Sequence, residues 1–170
     1  MLARWAAHLG ATVIGVVSRA ESIDAAKAAG CTAALLWGRD NLPDGIRAVT
    51  GGRKADVVYD GIGRETFATS LDCLRPRGLM VSFGASTGTP DPVSVDTLNS
   101  KGSLYLTRPG LAAHISNVDE YRERAQALFD AVASGVIAPN IGRTYSLTEA
   151  AKSHADIESG VSRGPIVLTT

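Results

Sequence analysis

The strongest constraint on this chain is an alternation in which short apolar runs suited to buried strands recur between stretches of helical spacing. Ala11–Val17 (ATVIGVV), Ala33–Trp37 (AALLW), Asp56–Tyr59 (DVVY) and Leu79–Phe83 (LMVSF) read as strands. Between them, Ser22–Ala29, Leu42–Thr50 and Arg64–Cys73 read as helices, the first closed by Gly30 and the second by Gly51-Gly52. Apolar strands separated by helices predict an α/β fold, with a doubly wound, mostly parallel sheet covered by helices on both faces. Each strand stops at a small or polar residue: Ser18-Arg19, Asp60-Gly61-Ile62-Gly63, or Gly84. In an open parallel sheet those carboxyl ends are where a ligand lies.

An amphipathic helix, Leu2–Leu9, stopped by Gly10, precedes the first of these strands. In a dinucleotide-binding sheet such a helix and strand come second and third, after an opening strand and a glycine-rich phosphate turn. No GxGxxG occurs in the sequence. The expectation is a single domain, 1–170, with a Rossmann-type sheet that lacks the first strand and the glycine-rich turn. Further along, Ala85–Asp96 reads as a loop suited to a flap or to plain surface. Ser103–Leu106 reads as a strand near the sheet edge. Val118–Ser134 reads as a long helix with an apolar face of Tyr121, Ala125, Leu128, Phe129 and Val132. Leu147–Ser159 follows as a helix capped near Ser146 or Thr148, and Ile166–Thr169 as a last strand.

Composition removes several classes of function. Lys plus Arg number 17 and Asp plus Glu also 17, so no electrostatic case exists for nucleic acid or an anionic membrane as partner. No apolar run approaches a membrane span and no leader pattern opens the chain, so the expected location is cytoplasmic. Cys31 and Cys73 stand alone, without a CxxC pair or a His at metal spacing, and read as small core residues; no metal is expected. His8, His114 and His154 fall on helices without acidic or Cys partners and read as surface residues, while Asp60 beside glycines reads as a turn former.

Where the second strand of a dinucleotide unit ends, a carboxylate would bond the ribose hydroxyls of NAD, whereas Ser and Arg can receive a ribose phosphate. Ser18-Arg19 therefore favours NADP over NAD, with Glu21 nearby weakening the case. The alternative reading of the same pair is a solvated Arg on a helix-entry turn with Ser18 as its cap.

The segments YDGIGRETFATSLDCLRPRGLMVSFGASTG, LNSKGSLYLTRPGL and, after a helix, ASGVI follow one another in this order. Together they resemble the zinc-independent, NADPH-dependent quinone oxidoreductases of the medium-chain dehydrogenase/reductase superfamily, and the resemblance covers Met1 to Thr170. It implies that Ser18 and Arg19 meet the adenosine ribose and its phosphate. Trp37 falls where that family has a Tyr at the same end of the cofactor, a place in which it either lies against the phosphate site or belongs to the core. Gly61 replaces the family's usual Ser in the turn. Phe83, Gly84 and Ala85 match the segment beside the nicotinamide, where a residue without a side chain lets the main chain approach the ring. Leu106 and Thr107 match a strand end whose main chain bonds the carboxamide, and Arg163 a position that reaches the nucleotide.

Departures accompany the match. Ser22 stands where the family has a Lys, which removes part of the positive charge expected for NADP. The pyrophosphate turn and the catalytic domain that precede this region in the family are absent, so no catalytic residue is assigned. The implied division is a truncated dinucleotide-binding part over about 1–135 and a segment over about 136–170 that would pack on the catalytic domain. The implied activity is hydride transfer from NADPH to a quinone or enone in the full-length protein, without metal. The other reading is a non-catalytic nucleotide-binding or dimerisation module, inactive as an isolated chain. A methyltransferase-like domain is disfavoured, because its second strand would end in an acid. An apolar edge at Ser103–Leu106 is most simply protected by pairing across a two-fold axis, so a homodimer is expected.

Overall fold

The computed structural model describes residues 1–138, 141–161 and 164–170. In chain order, α1 (Leu2–His8) leads to β1 (Ile14–Val17), α2 (Ile23–Ala28) to β2 (Ala33–Leu36), and α3 (Leu42–Val49) to β3 (Ala55–Asp60). Next, α4 (Phe67–Asp72) leads to β4 (Leu74–Ser82) and α5 (Val95–Ser100) to β5 (Tyr105–Thr107). After α6 (Leu111–His114) and α7 (Val118–Ala133) come β6 (Arg143–Ser146), α8 (Ala150–Glu158) and β7 (Ile166–Thr169). Every strand pairing is parallel. The alternation of apolar runs thus gives the α/β class and the parallel winding expected of it.

The sheet is not continuous. Among the described residues β1 pairs with β2, β3–β4–β5 form a second sheet, and β6–β7 a third. Two apolar clusters organise the first two. One gathers Phe67, Leu71, Leu74, Met80 and Leu104, with Leu74 and Met80 fully buried. The other joins Leu42 and Ile46 of α3 to Cys73, and Ile14, Leu35, Trp37, Ala55 and Val58 pack against it. Through α3 this second cluster touches both β1–β2 and β3, although no strand bonds the two sheets together. The helix starts where Asn41 Oδ1 accepts the Asp44 N–H at 3.3 Å, with Pro43 in its first turn. Gly45 lets it lie close on β2, since a methyl there would sit 2.9 Å from Leu35 side-chain carbons.

Element boundaries moved for identifiable reasons. The strand expected at Ala11 begins at Ile14, because its partner β2 starts only at Ala33, after the Gly30 turn. The helix expected from Arg64 begins at Phe67, the intervening residues being held in a turn by Asp60. The loop expected to run to Asp96 ends at Ser94, whose hydroxyl accepts the Thr97 N–H at 3.1 Å and caps α5. Ser103, expected to open a strand, instead takes φ of 55° and Leu104 turns into the core, so the edge strand is Tyr105–Thr107. The polar strand β6 (RTYS) carries too little apolar signal to be read from periodicity. Its end supplies Ser146, which with Glu149 forms the capping box that opens the following helical segment. The apolar face expected on the long helix exists but is not covered: Tyr121 is 51% and Phe129 64% exposed, and Ala131 is the buried residue of α7.

Candidate cofactor site

β3 ends in Asp60, whose side chain is 4% exposed. Its carboxylate accepts the N–H groups of Ile62 at 2.8 Å and Gly63 at 3.0 Å, and the hydroxyls of Thr66 and Ser70, each at 2.7 Å. Burial by itself would raise the acid's pKa. The bonds from Gly63, Thr66, Ser70 and Ile62 outweigh that and hold Asp60 below the usual carboxylate value. Asp60 is therefore the tether that fixes the Gly61–Gly63 turn to the start of α4, a larger part than a simple turn former plays. The signal for it in sequence is the spacing of hydroxyls at Thr66 and Ser70, one helical turn apart and both aimed back at the strand end.

The end of β4 closes onto that turn. Phe83 and Gly84 both donate their N–H groups to the Asp60 carbonyl, at 2.9 and 3.4 Å. A methyl group on Gly84 would lie 2.5 Å from the Gly61 carbonyl oxygen, and one on Gly61 would lie 2.9 Å from the Phe83 ring. Gly63, at φ of 97°, has the Gly88 carbonyl oxygen 2.5 Å and the Ala85 Cα 2.9 Å from where its Cβ would be. Two further main-chain bonds, Thr87 N–H to Ile62 carbonyl and Arg64 N–H to Gly88 carbonyl, both 2.9 Å, stitch the following loop to the turn. Gly61, Phe83, Gly84 and Ala85 thus form one contiguous corner, with the Phe83 ring 56% exposed above it. Leu106 and Thr107 are exposed at the end of β5 and pair with Met80 and Val81, beside the strand that leads into the corner.

The other expected residues sit at the ends of β1 and β2. Ser18 and Arg19 are exposed, and Arg19 makes no ion pair among the described residues. The short 3-10 turn that follows, Ala20–Ser22, is capped by Arg19 and not by Ser18, and no side chain bonds its first N–H groups. Ser22 is half-buried and donates its N–H to the Arg19 carbonyl at 3.0 Å. Trp37 donates its main-chain N–H to Val17 at 2.8 Å and packs against the Leu42 cluster, so its core role is realised. It also lines an open groove with Arg39, Asn41 and Thr69.

α3 connects the end of β2 to the start of β3. Ile14 of β1, Leu35 and Trp37 of the β2 arm, and Ala55 and Val58 of β3 meet on one apolar cluster. Ser18, Arg19 and Ser22 follow the carboxyl end of β1 and Trp37 that of β2, while the glycine corner follows the carboxyl ends of β3 and β4. Arg163 lies outside the described residues.

The sequence profile of the zinc-binding dehydrogenases matches residues 1–131. The chain belongs to the zinc-binding dehydrogenase family. It is 43% identical over 165 residues to 2-haloacrylate reductase of a Burkholderia species, covering 96% of this chain and 50% of that protein. It is 41% identical over 167 residues to quinone oxidoreductase 1 of Escherichia coli, covering 97% of this chain and 51% of the other. The crystal structure of Escherichia coli quinone oxidoreductase complexed with NADPH superposes with a TM-score of 0.90 at 40% identity, covering 99% of this chain and 52% of that one. The chain spans about half the length of the relatives it matches.

Membership raises the question of zinc, and the donor set here does not fit one. Among the described residues no group of three or more His, Cys, Asp and Glu side chains comes together to hold a metal ion. Cys73 sits in the second apolar cluster, where burial first and the neighbouring Asp72 second push its thiol up to about 11. Cys31 lies beside Gly15 and its thiol is likewise raised by burial. Neither is a thiolate ready for a metal. Among the described residues no helix is long and apolar enough to cross a membrane.

Proposed function

We propose that this chain is the NADPH-holding portion of a zinc-independent oxidoreductase that passes hydride to a conjugated acceptor, a quinone or an enone. The observation that carries the reading is the glycine corner, where Gly61 and Gly84 pack main chain against main chain and against the Phe83 ring, joining the ends of β3 and β4 beneath an exposed aromatic face. A flat ring can approach such a surface closely. The bound nicotinamide would supply direct hydride transfer, and the residues here would position it. Gly61, Phe83, Gly84 and Ala85 would hold the nicotinamide end, with the main chain at Leu106 and Thr107 bonding its carboxamide. Ser18 and the unpaired guanidinium of Arg19 would receive the ribose phosphate, with Ser22 and the exposed edge of Trp37 beside them. Arg163 is proposed to reach the nucleotide as well.

The relatives support this reading, one being a quinone oxidoreductase and another a reductase of 2-haloacrylate, whose double bond is conjugated with a carboxylate. We further propose residues 1–135 as the nucleotide-binding part and 136–170 as the segment that packs on a catalytic domain, which fits the separate β6–β7 sheet. A cytoplasmic location and a homodimer joined along β5, where Tyr105 is 63% exposed on an unpaired edge, complete the proposal. The isolated chain is proposed to bind NADPH weakly or not at all and to be inactive, because among the described residues no strand joins β1 to β3.

The test is a chimera in which this chain replaces the matching half of Escherichia coli quinone oxidoreductase 1. Benzoquinone-dependent oxidation of NADPH, at least about tenfold more efficient than that of NADH, is expected. A chimera that folds and prefers NADH sinks the cofactor assignment. Calorimetry on the isolated chain should show no tight NADPH binding, and light scattering should show a dimer.

A further inference from the structure

We propose that Arg39, just beyond the end of β2, is a second cation for the ribose phosphate and decides with Arg19 how strongly NADPH is preferred to NADH. The inference rests on the reading of this chain as an NADPH-holding portion. Arg19 by itself is a weak basis for that preference, because Glu21 lies two residues away and Ser22 carries no charge. A phosphate dianion placed there would meet the repulsion of Glu21 along with the attraction of one guanidinium. A further cation removes that handicap.

The fold supplies one at the neighbouring strand end. β1 and β2 pair in parallel with Val17 opposite Leu36, and the Trp37 N–H donates to the Val17 carbonyl at 2.8 Å. The two strands therefore stop level with each other, about 4.8 Å apart. A tight turn follows each. After β1 the Ser22 N–H donates to the Arg19 carbonyl at 3.0 Å, and after β2 the N–H groups of Arg39 and Asp40 donate to the Leu36 carbonyl at 3.3 and 3.0 Å. Gly38, at φ of 77°, is the left-handed residue that the second turn requires. Arg19 and Arg39 are thus held within three residues of the paired positions Val17 and Leu36. A phosphate lying over the two strand ends is within reach of both long side chains.

No acid nearby claims Arg39. Like Arg19 it is exposed, and neither makes an ion pair or a side-chain hydrogen bond among the described residues. Asp40, its neighbour in sequence, instead accepts the Leu36 main-chain N–H at 2.7 Å. Because the Trp37 N–H faces β1, the Leu36 N–H faces the opposite side of β2, and Asp40 is fastened there. Arg39 also lines the open groove, of about 310 Å³, that it shares with Trp37, Asn41 and Thr69. That space leaves room for the nucleoside beside the guanidinium.

The chimera with Escherichia coli quinone oxidoreductase 1 supplies the test. Arg39→Ala should raise the KM for NADPH about fivefold and leave that for NADH level, since NADH lacks the group that Arg39 would hold. Arg39→Lys keeps the charge and should stay within about twofold of the parent. Lys27→Ala removes an exposed cation from the far end of α2 and should change neither constant. A second measurement uses the chain as it stands, in which both strand ends are present and paired. Adenosine 2′-monophosphate at millimolar concentration should shift the amide signals of Arg19 and Arg39, adenosine should not, and Arg39→Ala should weaken the binding about fivefold. Equal losses for both cofactors, an unchanged preference in Arg39→Ala, or no binding of adenosine 2′-monophosphate overturns the role of Arg39 and leaves the cofactor assignment standing. A parent chimera that prefers NADH removes both. If the chimera does not fold, the titration alone decides.

Discussion

The sheet β3–β4–β5 and the sheet β1–β2 carry opposite ends of one proposed site, yet they are built differently. The first is wrapped around fully buried Leu74 and Met80, and its rim is locked by Asp60, by mutual glycine contacts and by main-chain bonds into the Gly84–Gly88 loop. The second has no fully buried residue in either strand, and its rim pair Ser18-Arg19 is exposed and untethered by side-chain bonds. The contrast teaches that the nicotinamide end would be formed before any ligand arrives. The proposed phosphate end has no comparable side-chain tether among the described residues.

The contrast is broken most directly in the two cores. Met80→Ala should cost about 2–5 kcal/mol in urea unfolding, since a fully buried side chain leaves a cavity between α4, α5 and the sheet. Leu35→Ala on β2, half-buried, should cost less than half as much. Equal losses would show that the two sheets share one core.

The corner comes next in size. Gly84→Ala and Gly63→Ala would each drive a methyl group against a carbonyl oxygen 2.5 Å away, backbone that cannot step aside, and should cost about 1–3 kcal/mol each. Gly38→Ala, at φ of 77° but with open space around it, should cost about 1 kcal/mol or less from conformation alone. In the chimera, Gly84→Ala should also raise the KM for NADPH, whereas Gly38→Ala should not.

Asp60→Asn sharpens the same point through pH. The folded carboxyl titrates below its unfolded value of about 3.9, so its contribution is full above that pH and fades as acid takes the medium through the lower folded value. Asn keeps the shape but puts an N–H₂ where only acceptors are wanted, for a loss of about 1–2 kcal/mol near neutrality. The gap between wild type and variant should close as the pH falls below about 4. A constant difference at every pH would mean that the charge of Asp60 contributes nothing.

How far the sequence foretells these features depends on whether the signal is local. β2, β3 and the second half of β4 are short apolar runs with glycine or polar stops, which is the signal that finds them, whereas residues 74–78 (LRPRG), the first half of β4, carry no such run and do not read as strand. Gly61 and Gly84 are legible as places of close approach, but their partners are not, since contact between Gly84 and the Gly61 carbonyl is a tertiary fact. Ser103 shows the opposite failure. It lies in an apolar-looking stretch, but φ of 55° there and the turn of Leu104 into the core move the strand to Tyr105. The face of α7 reads as buried because periodicity reports amphipathicity and says nothing of what covers it.

The smallest folding effect is expected at Arg19, and it bears hardest on the second half of the comparison. An exposed side chain without an ion pair contributes little to folding, so Arg19→Ala should shift stability by no more than about 0.5 kcal/mol. In the chimera the same change would remove the proposed charge-assisted fork onto the ribose phosphate, so the KM for NADPH should rise about tenfold while that for NADH stays level. The ratio of the two constants isolates the phosphate from everything else the cofactor touches. If Arg19→Ala weakens both cofactors alike, the guanidinium shapes the turn at Ala20–Ser22 and reads no phosphate. Selectivity would then fall to Ser18 and the other residues proposed at that end of the cofactor.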